Sequence, residues 1–464
     1  MRKILLGTTA VVSAAFGAAV VTPAAAQEAP TVRLGGSIQA YYGYIQQSGQ
    51  QNDPGTNTLA PGVTGGGVGT TVNGTTAATQ SYARLSKNDI ITVPALNVQV
   101  NGKLANGLTY GGVIEIGFNS IEGRQIGQAR ASVGRGAAVV DEAYIFLAHP
   151  RFGQVRFGDE DGPLGGLMNS GWVTGFGTGG VFGVWENFQT RQAGNRTQTA
   201  PGGIGDSSKI VYLSPQFFGF DFGASYAPNY GVLGQTGCPN NVASGYCDRA
   251  YAYRGATSVA IPAAGPEFAS RRGEYQVAAR YRGTFAGVGV SATAGYLGSG
   301  VARDLTDANR QVRTLSGLNV WQVGAQASYQ GLTVGAAYLV GDFNYFWGNS
   351  IRGDRSGEQV TFGASYTAGP ITVGANAYSA LVAGSSGFAF NSATGALTQS
   401  PRGMQRRWGM SVGGNYRLAP GLDLIAEYVH HSIRQQGVDL DSGRAGTQSR
   451  SFSDVFIVGS RLAF

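Results

Sequence analysis

Chemistry in this chain has few places to reside. His149, His430 and His431 are its only imidazoles, and Cys238 and Cys247 its only thiols. A hydrolase needs a nucleophile, a base in reach and an acid to orient the base. His149 lies beside Pro150 in a turn-like stretch. His430 and His431 adjoin Glu427, a grouping that could bind a metal, but neighbouring strand residues point to opposite faces. The pair therefore reads as structural. No Walker-type loop, C-x-x-C or H-E-x-x-H occurs. The expectation is a protein that is not an enzyme and has no metal or cofactor. Cys238 and Cys247 sit close together in a polar Gly/Asn stretch without a nearby His, which in an exported chain fits a short-loop disulfide better than a metal site. What remains is electrostatic. Asp159, Glu160 and Asp161 form an acidic run, with Glu186 further along, while Arg33, Lys103, Arg156, Arg280, Arg282 and Arg417 are scattered singly through alternating segments. Charges so placed can filter solutes.

The elements that hold them follow from composition. Of 464 residues 75 are Gly, about 16% against a usual ~7%, and only 13% are charged. Glycine disfavours helix interiors by about 1 kcal/mol relative to Ala, so a mainly helical fold is excluded. With 22 Tyr and 22 Phe the chain is too aromatic for simple disorder. Arg2 and Lys3, the apolar stretch Ile4 to Val21, and Ala24 and Ala26 before Gln27 have the form of a secretory signal, expected to span residues 1–26 and to leave one domain over 27–464. Removing Arg2 and Lys3 lowers the formal charge from +7 to +5, with no basic block, so no nucleic-acid partner is indicated. Beyond the signal no apolar run reaches the ~18 residues of a membrane helix.

Period-two alternation runs through the remainder. Trp321, Val323, Ala325, Ala327 and Tyr329 point one way and Gln322, Gly324, Gln326 and Ser328 the other; after Gln330-Gly331 the pattern resumes from Leu332. Sixteen strands are predicted, near Val32–Gln46, Leu96–Lys103, Leu108–Phe118, Val140–Ala148, Gln154–Gly158, Lys209–Leu213, Phe220–Tyr226, Glu274–Arg282, Gly287–Leu297, Asn319–Tyr329, Leu332–Val340, Glu358–Thr367, Ile371–Leu381, Trp408–Arg417, Leu422–Ile433 and Phe452–Phe464. One turn is expected over Arg282-Gly283-Thr284-Phe285. Seven short turns alternate with eight longer loops, the asymmetry of an antiparallel outer-membrane barrel. A soluble sandwich would carry charges on one face; here one face is polar but small and the other apolar. Tyr42, Tyr226, Trp321, Tyr329, Tyr338, Tyr366, Trp408 and Tyr416 recur at strand ends, as in the two interfacial aromatic girdles. Closure satisfies every backbone group, as lipid requires. Wall glycines such as Gly324, Gly363, Gly374 and Gly413 would leave room for water. The strand from Asp141 to Leu147 resists a face assignment, since both sets are mostly apolar, which burial of its outer face against a neighbouring subunit would explain.

Several stretches resemble the general bacterial outer-membrane porins, particularly their alphaproteobacterial branch. Ala105-Asn106-Gly107-Leu108-Thr109-Tyr110-Gly111 is similar to the family's first turn. Val140 to Ile145 and Phe152 to Gly162 resemble its fourth and fifth strands, and Val211 to Pro215 with Gly219 to Pro228 its sixth and seventh. The terminal Phe464 is similar to the family's assembly signal. The resemblance implies a homotrimer of sixteen-stranded transmembrane barrels in the outer membrane, inserted by the barrel-assembly machinery and passing ions and small hydrophilic solutes by passive diffusion. It also implies a third loop, from Asp159 to about Ser207, folded into the lumen. That loop carries Asp159, Glu160, Asp161 and Glu186, with Arg191 and Arg196.

Alternation would turn Arg33, Lys103, Arg156, Arg280, Arg282 and Arg417 to the lumen wall. On a lipid face each charge would cost about 2–4 kcal/mol near the midplane. Opposed charges across a constriction create a transverse field that orients dipolar solutes. Two other readings stand beside a general porin: a sugar- or anion-selective channel, and a structural or adhesin barrel. A sugar channel needs an aromatic ladder along the lumen, whereas most Tyr here read outward. A phosphate pore needs a dense basic constriction, whereas this one mixes signs. Ion preference, exclusion size and Ca²⁺ at the acidic run stay open.

Overall fold

The computed structural model describes residues 29–48, 86–117, 139–189, 207–229, 271–301, 315–344, 355–384, 403–439 and 449–464, with a few short segments between them. The expected signal at 1–26, the pair Cys238 and Cys247, Arg191 and Arg196 lie outside the described residues.

Sixteen antiparallel strands close into one barrel. They are β1 (Thr31–Gln47), β2 (Asn88–Lys103), β3 (Thr109–Gly117), β4 (Val139–His149), β5 (Gly153–Glu160), β6 (Ser207–Leu213), β7 (Phe220–Asn229), β8 (Arg271–Phe285), β9 (Val288–Val301), β10 (Asn319–Tyr329), β11 (Leu332–Asp342), β12 (Gly357–Ala368), β13 (Ile371–Ala383), β14 (Met404–Ala419), β15 (Leu422–Arg434) and β16 (Arg450–Ala463). Each pairs with its neighbours in sequence, and β1 pairs with both β2 and β16, so no sheet edge is left open. At the seam Phe464 N–H donates to Gly36 O and Gly36 N–H to Phe464 O, both at 3.0 Å. No helix among the described residues is long and apolar enough to cross a membrane; crossing is by strands.

The period-two pattern divides the wall into two faces. On β10, Trp321 and Val323 are exposed while the intervening Gln322 is buried. The apolar face carries aromatic rings at both strand ends: Tyr226, Trp321, Tyr338 and Trp408 toward the long loops, Tyr329, Tyr366 and Tyr416 toward the short turns, all exposed. The polar face carries Gln276, Thr293, Gln322, Asn376, Ser411 and Glu427, all buried.

Three expectations change. The second strand starts at Asn88 rather than Leu96, running through Pro94, which pairs with Ile38; a proline reads as a break, although no ladder is lost where its missing N–H is not needed. The turn expected at 282–285 lies at Ala286-Gly287, since β8 runs on to Phe285. Ala286 and Gly287 have φ of 48° and 83°, and Gln330 and Gly331 have 46° and 86°. Two successive positive φ values make the type I′ turn that matches strand twist. Lastly, β5 continues to Glu160, so Asp159 and Glu160 end a wall strand and the loop begins at Asp161. Their partners Ser208 and Ser207 on β6 extend the ladder by those residues.

Candidate functional site

After β5 the chain forms three short helical turns, Pro163–Leu167, Gly180–Phe182 and Val184–Phe188. None is long enough to stand alone. This segment, 161–189, is held by the polar face of the wall, strand after strand. Leu164 N–H donates to Gln276 on β8 at 3.0 Å. Ser170 meets Ser291 and Thr293 on β9 at 2.6 and 2.8 Å, and Thr293 donates to Met168 O. Gln322 on β10 donates to Asn169 at 3.0 Å. Asn376 on β13 accepts from Val181 N–H at 3.0 Å and donates to Val173 O and Gly179 O at 2.9 and 3.1 Å. Asn415 on β14 accepts from Gly177 N–H at 2.8 Å. Glu427 on β15 accepts from Thr178 N–H at 3.0 Å and from the Thr178 hydroxyl. Gln189 donates to Ser453 on β16 at 2.5 Å. Beyond its own turn bonds, such as Met168 N–H to Pro163 O and Trp185 Nε1–H to Val181 O, the segment thus has polar groups on most of its length met by the wall, each bond contributing about 0.5–1.5 kcal/mol net.

Shape matters as much as hydrogen bonding. A Cβ added at Gly43, Gly223, Gly295, Gly324, Gly363 or Gly374 would come closer than 3.0 Å to Phe188, Met168, Leu164, Ser170, Val173 or Phe176 in turn. The expectation that Gly324, Gly363 and Gly374 leave room for water is therefore corrected: segment 161–189 fills that room. A Cβ at Gly413 would instead meet Ala426 and Glu427 of the adjacent strand. Leu164, Met168, Phe176, Val181 and Trp185 are fully buried on this floor, each large apolar side chain contributing about 1.5–3 kcal/mol. His431 packs 4.9 Å from the Trp185 ring and 6.0 Å from Tyr378. His430, on the opposite face, contacts Asp454 at 2.7 Å. The two histidines face apart, as the alternation requires. Among the described residues no His/Cys/Asp/Glu group could hold a metal ion.

The charges fall into four sets. Arg156 donates to Glu160 at 3.0 Å and lies 5.1 Å from the Tyr144 ring; Lys209 donates to the Glu160 carbonyl. Asp159 and Glu160 are both buried, so these acids are packed into the wall. Arg280 and Arg282 converge on Asp221 at 2.6 and 2.8 Å, and Arg280 also donates to Leu167 O at 3.1 Å, tying wall to segment. Arg33, Lys103 and Arg417 stay exposed near the short-turn end; Arg417 is 3.8 Å from Asp423. Asp161 and Glu186 are half-buried on the segment, with the Asp161 carboxylate close above Gly165 and Gly166. Sequence reasoning missed Asp221, Asn376 and Gln276. Their one local signal is a polar side chain between outward-facing neighbours, as Asp221 stands between Phe220 and Phe222.

A closed sixteen-stranded barrel, apolar and aromatic-belted on one face and polar on the other, is a membrane pore of the outer-membrane type. The comparisons place it further: a family model described as Gram-negative porin matches residues 8–436, and the chain belongs to that family. It is an outer-membrane channel protein and not an enzyme. No curated protein sequence matches. Among solved structures, an anion-selective porin from Comamonas acidovorans is similar with a TM-score of 0.52 at 14% identity, over 94% of this chain and 100% of that one. A Salmonella typhi OmpF complex with daunomycin gives 0.51 at 13%, over 93% and 97%. The trimer form of OmpT from Vibrio cholerae gives 0.49 at 13%, over 94% and 100%. At such identities the likeness is one of fold.

Proposed function

We propose that the barrel is a general diffusion channel whose bore is set by segment 161–189 lying within the lumen. The observation that carries this reading is the series of hydrogen bonds from Gln276 on β8, through β9, β10, β13, β14 and β15, round to Ser453 on β16, all from the polar wall face. A loop lying outside could not reach those side chains. Asp161 and Glu186 on the segment would then oppose basic wall groups, with Arg33, Lys103 and Arg417 charging the short-turn mouth. Asp159, Glu160, Arg156, Arg280 and Arg282 would hold the geometry through paired charges rather than meet solute directly.

The same reading includes a signal peptide over 1–26, the disulfide between Cys238 and Cys247, and Phe464 as the assembly signal, its backbone already laced to Gly36 at the seam. It also includes a homotrimer and the alphaproteobacterial branch, on the residues that resemble that family. Ile145, Leu147, Val155 and Phe157 on β4 and β5 are exposed together on the apolar face and suit a subunit contact. Liposomes carrying the protein are expected to swell in neutral sugars, at rates falling steeply with sugar size. Impermeability to the smallest sugar would refute the channel, and rates independent of size would refute the constriction.

A further inference from the structure

The polar wall face just below segment 161–189 carries charge of predominantly one sign. Asn415 on β14, which accepts from Gly177 N–H, is followed at the next inward position by Arg417. Arg280 on β8, which donates to Leu167 O, is followed in the same way by Arg282. Each step is about 7 Å along a strand. Both guanidiniums therefore stand beneath the segment, on the short-turn side.

Register extends the row. Arg417 is directly opposite Asp423 on β15, and Asp423 directly opposite Arg461 on β16. β1 and β2 come next in the sheet and bring Arg33 and Lys103 to the same rim. Arg33 is on the polar face, since its neighbours Val32 and Leu34 are exposed on the apolar one. Lys103 shares its face with the buried Ile91 of the same strand. At this end, the five consecutive strands β14 to β2 thus set four bases against one acid.

The acids here are already taken. Asp423 lies 2.8 Å from Arg461 and 3.8 Å from Arg417, and Asp221 is shared by Arg280 and Arg282. Among the described residues no carboxylate forms an ion pair with Arg33 or Lys103. Both are exposed. The short turns all belong to the described residues, and their one charged residue, Arg151, is basic too.

We propose that this ring selects small anions at the short-turn mouth, so that charge preference is set there and bore width by segment 161–189. The inference rests on the channel reading above. Rings of basic side chains favour anions in a pore, and a cleft between low-dielectric walls focuses their field. That field reaches about 8 Å at physiological ionic strength and about 3 Å at 1 M salt. It spans the single repeat up to the segment in the first case and falls short of it in the second. Solutes bearing a carboxylate or phosphate group, and small enough for the bore, are the class it draws.

The test is the reversal potential of purified full-length protein in planar bilayers under an about tenfold KCl gradient. Between about 0.1 M and 0.01 M, chloride should be preferred over potassium at least about threefold, and the preference should shrink toward unity as both sides approach 1 M. R33Q/K103Q, altered at exposed sites without ion pairs, should lose at least about half of the low-salt preference and converge with the wild type at high salt. Reversing the gradient across one channel should change the size of the potential, because the ring is least screened when the dilute side faces the short turns. A preference for potassium, an unchanged preference in R33Q/K103Q, or potentials of equal size in both directions would overturn the proposal while ohmic steps leave the channel standing. An absence of steps would remove the channel and the ring's role with it.

Discussion

Gly374 and Phe176 are almost two hundred residues apart in sequence, yet neither position makes sense without the other. Gly374 faces the polar side of β13, and the space its missing side chain leaves is taken by the Phe176 ring. Gly374→Val should therefore push the ring out at a cost of about 1–3 kcal/mol, the usual penalty of overpacking. Because the strand itself keeps its ladder, the barrel should stay folded while segment 161–189 becomes more open to protease. Proteolysis of the detergent-solubilised variant checks this: faster cleavage within the segment is expected, and an unchanged rate would contradict the seating. Single residues of this kind were not legible in the sequence. Alternation places Gly374 on the polar face, but nothing local says which side chain comes to fill it. Asp221, Asn376 and Gln276 were hidden for the same reason. Each reads as an ordinary inward polar residue until its partner, Arg280, Val181 or Leu164, arrives from a distant part of the chain.

Elements were far more legible, because a strand's signature is written in its own residues. The pairs β10–β11 and β12–β13 follow directly from alternation interrupted by Gln330-Gly331 and by Gly369-Pro370. Strand ends were less so: β5 continues through Asp159 and Glu160, where Ser208 and Ser207 on β6 and Ala143 on β4 stand opposite. On β4 alternation alone does not separate two faces, since both sets are mostly apolar. Its Ile145 and Leu147 stand on the exposed face, while Tyr144 and Phe146 are half-buried on the other. If that exposed face meets a neighbouring subunit, a charge there costs assembly rather than folding. Ile145→Arg should release monomers where the wild type gives a native mass of three chains. A wild type that is monomeric, or a variant that stays trimeric, would remove β4 from the interface.

Across the whole molecule the low charge and high glycine content acquire distinct causes. A wall facing lipid cannot hold ions near the midplane without cost, and a wall that must seat a long segment needs glycine where that segment presses closest. On the proposed reading the barrel supplies an aqueous path and segment 161–189 sets its width, so the two can be separated by experiment. Single-channel conductance in planar bilayers, compared between the wild type and a variant with 165–186 replaced by a short glycine linker, tests this most directly. Ohmic steps in the wild type and several-fold larger steps in the shortened variant are predicted. An absence of ohmic steps in the wild type, or a shortened variant that conducts no better, would contradict the account.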